Sequence, residues 1–173
     1  TISAYKAFLD SMVNLASKNT DKYFLFKSKK SLGQLEKIYD GELLHSINKI
    51  KSMPNCIYVN DFHLDSFSTM AISDIVVSAP ISSITFESLC GGVKTIVYDP
   101  LNQYGEYKIL AQELKSILAS SHEVLERLVN YWLTSSTESE FQTFFSTYIC
   151  PHLDGKCNSN AINEFKGFLR VIS

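Results

Sequence analysis

Two adjacent hydroxyls, Ser82 and Ser83, follow a β-branched run in "DIVVSAPISSITFESLCGG" (residues 74–92), and a carboxylate, Glu87, comes one helical turn after Ser83. Hydroxyls at a helix start add donors to its free backbone N–H groups and positive dipole end, and that combination suits phosphate. Glu87 falls on the same helix face as Ser83. A carboxylate only accepts hydrogen bonds and repels phosphate, so it suits paired hydroxyl donors such as a ribose diol. Phosphate on the helix start and ribose on the carboxylate describe a nucleotide diphosphate lying across this element. "FLFKSKK" (residues 24–30) supplies cations for it in Lys27, Lys29 and Lys30. Each of these residues also has a plain structural role: a serine N-cap, a solvated acid, a lysine-rich turn. Gly91-Gly92 is most simply a helix stop. The chain has neither GxGxxG nor GxxxxGK[ST], so the site is not a standard dinucleotide fingerprint or a P-loop.

The elements that must position these residues are legible in the apolar spacing. Helical periodicity covers residues 2–18 and 34–51. Short strands are expected at "KYFLFKSKK", "CIYVN", "DIVVSA" and "VKTIVYDP", with "KSILAS" (residues 115–120) as a fifth, edge strand. A short helix opened by Asp or His near residues 61–63 precedes the third strand, and the Ser82/Ser83 helix follows it. Later helices are expected over 106–114, 121–133 (N-capped by Ser121), 136–149 and 158–172. Apolar strands alternating with helices predict an α/β fold. It is a Rossmann-like parallel sheet of about five strands flanked by helices, with extra C-terminal helices. Right-handed crossovers place every strand's C-terminal end on one edge, where ligands of open α/β sheets bind. Asn60, Asp61 and Phe62, with His63, reach that edge from the second strand, and Tyr98, Asp99, Pro100 and Asn102 reach it from the fourth.

The 173 residues, 45% of them hydrophobic, suit one domain with a real core. A net charge of −2 argues against a nucleic-acid binder with a broad basic face. Cys56, Cys90, Cys150 and Cys157 form no CxxC pair and have no zinc-finger spacing to histidine. Cys56 and Cys90 read as small core residues. His45 is expected on a helix surface and His122 in a first helical turn. No signal peptide is expected, and the sequence holds no apolar run as long as a membrane span and no DxD-like metal motif. The compartment is read as reducing and cytoplasmic, and no cofactor or metal is expected. Because the chain does not begin with Met, it is read as a piece of a longer protein.

The combination strand–"SAPISSITFESLCGGVKTIVYDP" resembles the nucleotide-sugar-binding C-terminal domain of GT-B glycosyltransferases of bacterial surface polysaccharide synthesis, and the related CDP-glycerol glycerophosphotransferases. In these a strand leads to a hydroxyl-rich loop, a helix carrying Glu, then Gly-x-Pro and a strand. Lys94 stands here where that proline is common. "FLFKSKK" resembles their lysine-bearing first strand, and "DGK" before the last helix resembles their C-terminal end. The resemblance implies that residues 1–173 form one half of a GT-B fold, the other half being an N-terminal acceptor domain outside this chain. Glu87 would bind ribose, and Ser82 and Ser83 with their amides the diphosphate. Lys27 and Lys29 would neutralise its charge, and Asn60, Asp61 and Phe62 would lie near the base. The substrate implied is a nucleotide sugar. Through the full-length protein the resemblance implies peripheral association with the inner face of the membrane. Three rival functions use the same frame: a CDP-polyol phosphotransferase, a nucleotide-sugar epimerase, and a non-catalytic Rossmann-like interaction domain.

Overall fold

The computed structural model describes residues 2–28, 41–59, 64–79, 83–102 and 117–134. In chain order these form α1 (Ile2–Lys18), β1 (Phe24–Lys27), α2 (Gly41–Ser52), β2 (Cys56–Val59), α3 (Ser66–Ala71), β3 (Ile75–Ser78), α4 (Ser83–Cys90), β4 (Lys94–Tyr98), β5 (Leu118–Ala119) and α5 (His122–Thr134). The α/β alternation is as expected. The helices expected over 106–114, 136–149 and 158–172 lie outside the described residues.

Among the described residues all the strand pairing is parallel. Among the described residues the five strands of the expected Rossmann-like arrangement pair in two parts, β1-β2 and β3-β4-β5. With strands of two to five residues, few ladder bonds are available to propagate one sheet. One hydrophobic cluster joins the two instead, combining Phe26 with Ile96 and Val97, and with Leu43 and Ile47 of α2.

Alternation along β4 shows how the helices cover the sheet. Tyr98 and Thr95 are an odd number of residues apart and so face opposite ways. The Tyr98 hydroxyl is 2.7 Å from Ser11 Oγ of α1, whereas Thr95 Oγ1 is 2.9 Å from Ser88 Oγ of α4. β4 is therefore sandwiched between α1 on one face and α4 on the other, and Thr95 through Tyr98 are all buried. That burial on both faces is why this strand reads as a continuous apolar run. α5 joins the α1 side: Lys18 pairs with Glu126 at 3.0 Å, and Asn14 Nδ2 lies 3.0 Å from His122 Nε2.

The helix ends follow local chemistry. Ser121 caps α5, accepting from the Val124 N–H at 3.3 Å, as expected. The opener of α3 is Asp65, which corrects the expected position of 61–63. Its extended backbone (φ −70°, ψ 168°) lets the carboxylate accept from the Ser68 N–H at 2.7 Å. α4 stops in a Schellman motif: Val93 N–H donates to Ser88 C=O at 2.9 Å and Gly92 N–H to Leu89 C=O at 3.0 Å. Gly92 sits at φ +73°, in the left-handed region. A Cβ there would meet nothing within 4 Å, so the cost of a side chain is purely conformational. Gly92→Ala is therefore expected to destabilise the chain by about 1–2 kcal/mol in chemical denaturation. A change below a few tenths would mean that the motif relaxes.

Candidate nucleotide-binding site

The site begins at the C-terminal ends of the strands. Lys27 closes β1 in register with Val59 of β2, and Ser78 closes β3 in register with Val97 of β4. From Ser78 the chain passes into α4. The Ser78 and Thr85 hydroxyls are 2.8 Å apart and buried, so the end of β3 is fastened directly to the first turn of α4. A second buried contact fastens the helix to β4. Ser88 Oγ donates to Thr85 C=O at 3.0 Å, and the Thr95 hydroxyl lies 2.9 Å from Ser88 Oγ and 2.8 Å from Val93 C=O. One hydroxyl proton serves only one of those two acceptors at a time. Ser88 and Thr95 are each 0% exposed. A buried polar group left unpaired costs far more than a paired one gains, so these hydroxyls hold α4 in one register on the sheet. Ser78→Ala should cost about 1 kcal/mol in urea unfolding, and an unchanged midpoint would remove the fastening role.

This fastening decides what α4 shows to solvent. Thr85, Ser88 and Leu89 face the sheet, while Ser83 and Phe86 are exposed and Glu87 is half-buried. Ser83 and Glu87 share the open side, as their spacing predicts. Among the described residues the Glu87 carboxylate has no hydrogen bond or ion pair. Ser83 is the first residue of α4 and contributes to its electropositive start. Lys27 is half-buried at the end of β1. Of the other expected site residues, Ser82, Lys29, Asn60, Asp61 and Phe62 lie outside the described residues.

Sequence reading missed Thr85, Ser88 and Thr95. The sequence shows the three hydroxyls but carries no local signal that they face the sheet. Lys94 is also explained by the structure, since its ammonium donates to Trp132 C=O at 2.8 Å. It thereby serves the C-terminal end of α5, where a cation is favoured.

Other groups behave as structural parts. Cys56 is half-buried against the core, and burial pushes its thiol up. Burial also pushes up the Tyr58 phenol, which the neighbouring Ser28 hydroxyl partly offsets. A cavity of about 300 Å³ lies away from α4, between α1 and α2, and includes Asp10, Asn14, Ser17, His45 and Lys49. Burial opposes ionisation of Asp10 there, but bonds from Lys6 (2.7 Å) and Ser46 (2.7 Å) outweigh it and hold the carboxyl below its ordinary value. His45 is exposed on α2 and His122 stands in the first turn of α5, as read from the sequence. Among the described residues no helix is long and apolar enough to cross a membrane.

Residues 1–129, which include β1 to β5 and α4, match the model of the polysaccharide biosynthesis PFTS motif proteins. The chain belongs to that family. Its α/β fold and the α4 unit are thus features of a polysaccharide biosynthesis PFTS motif protein. No curated protein and no solved structure matches the chain significantly.

Proposed function

We propose that this PFTS motif protein binds the nucleotide part of an activated sugar, and that it is the donor-binding part of a glycosyltransferase with a GT-B-like arrangement. The observation that carries the reading is α4. Its start follows a strand end, its inner face is fastened by buried hydroxyls, and its open face carries Ser83 and Glu87. A helix start set rigidly at a sheet edge is preorganised for phosphate.

The family's description, polysaccharide biosynthesis, is in keeping with a sugar-transferring role, and α4 lies inside the matched residues.

In the proposed reaction the bond from the anomeric carbon to the donor phosphate breaks, and its electron pair leaves with the nucleotide diphosphate. The acceptor hydroxyl oxygen bonds to that carbon and releases its proton. Ser82, Ser83 and the amides at the start of α4 hold the departing diphosphate, with Lys27 and Lys29 balancing its charge. Glu87 accepts from the ribose hydroxyls. Asn60, Asp61 and Phe62 stand beside the base, and the acceptor comes from a further domain.

The reading is tested by thermal shift of the full chain with UDP, CDP, GDP and their sugar conjugates. A ligand held only by the native state raises the melting temperature by mass action. A shift with one base class supports the proposal and names the donor, a CDP-only shift pointing to polyol-phosphate transfer. No shift at millimolar ligand would overturn it.

A further inference from the structure

We propose that Phe86, assisted by Phe67, forms the apolar wall on which the ligand's nucleobase stacks; this rests on the nucleotide reading of α4. Phe86 is 44% exposed and Phe67 65%. Burying a Phe ring is strongly favourable, so an open ring forfeits a large part of that gain. Isolated exposed apolar residues are ordinary on a protein surface; among the described ones Phe67, Phe86 and Leu101 stand at the C-terminal edge of the strands, and of these only the two phenylalanines carry a ring that a base can stack on. Tyr23 immediately precedes β1, and Ile72 lies shortly before β3, so both stand at the N-terminal edge of the strands. Tyr131 and Leu133 lie on α5. Phe67 and Phe86 instead occupy the first turns of α3 and α4, which begin where the chain returns from the C-terminal ends of β2 and β3. The two helices pack against each other, and α3 also packs against β1.

On α4 the ring sits three residues after Ser83 and next to Glu87, on the side turned away from Thr85, Ser88 and Leu89. A ligand with phosphate at Ser83 and ribose at Glu87 carries its base within reach of this ring. A phenyl face pairs with any base by stacking, without reading its hydrogen-bonding edge. The wall therefore contributes affinity common to all bases, and choice among bases falls to other groups.

The test is titration of the full chain, its Phe86→Ala and Phe86→Trp forms and its Phe67→Ala form, with the nucleoside diphosphate that stabilises it best and with inorganic pyrophosphate. Ile72→Ala is the control, exposed at the opposite edge. Phe86→Ala should weaken the nucleotide about tenfold and leave pyrophosphate unchanged, with a smaller loss for Phe67→Ala. Phe86→Trp should keep the affinity, and its added indole should be quenched on binding against the buried Trp132 background. Nucleotide affinity unchanged in Phe86→Ala, or an equal loss for pyrophosphate, would overturn the stacking role while leaving the α4 site in place. No nucleotide binding by the unaltered chain would overturn the α4 reading itself, and the wall with it.

Discussion

Glu87→Ala should abolish most of the stabilisation that a nucleoside diphosphate confers, weakening its binding roughly 10- to 100-fold. A hydrogen bond to a charged acceptor contributes more than a neutral one, and a ribose diol offers the carboxylate two donors. At a ligand concentration about 100 times Kd the stabilisation is about 2.7 kcal/mol. A 100-fold loss reduces it to a few tenths, and the thermal shift all but disappears. The unliganded protein should melt nearly as before, because among the described residues Glu87 holds no other group. Glu87→Gln, which retains one acceptor oxygen and brings donors of its own, should fall between the two. Glu42→Ala, an exposed acid on α2, should leave the shift intact. Equal shifts for Glu87→Ala and the unaltered chain would rule out the ribose role. A lower melting temperature without ligand would instead make Glu87 a structural residue.

Ile96→Ala should be the most damaging of the single changes considered. Ile96 is 0% exposed and lies mid-way along β4, the strand covered by α1 on one face and α4 on the other. Truncation removes apolar area and leaves a cavity that flanking elements on both faces cannot easily close. The expected loss is about 2–5 kcal/mol by urea denaturation, with Ile96→Val costing about 0.5–1.5 kcal/mol. A loss below about 1 kcal/mol for the alanine form would mean that the two sheets can collapse onto the gap, and that the shared core is looser than its burial indicates.

How far the fold could be read from the chain differs from element to element. Period-2 and period-3.6 patterns depend only on near neighbours, so α1, α2, α5 and the strand runs were legible. So were the Gly91-Gly92 stop and the Ser121 cap, since each is set by residues within a turn of it. The opener of α3 was misplaced because three acids or histidines, Asp61, His63 and Asp65, compete in five positions. Only the backbone geometry shows that Asp65 reaches the Ser68 amide. The division into two sheets was not legible, because strand pairing joins residues distant in sequence and leaves no local mark.

The candidate site divides in the same way. Ser83 and Glu87 could be assigned to one face of one helix from spacing alone, and the order strand, hydroxyls, acid, glycine stop could be read directly. Which face of α4 turns outward could not, because Thr85 and Ser88 look as polar in the sequence as Ser83. The tertiary structure decides it by pairing Thr85 with Ser78 and Ser88 with Thr95. It likewise turns Phe86 outward and commits Lys94 to the end of α5. The sequence by itself determined the chemistry available, because residue type and spacing set which groups share a face. Only the packing of α4 between distant partners on β3 and β4 decided which of those groups are used up inside and which are left for a ligand.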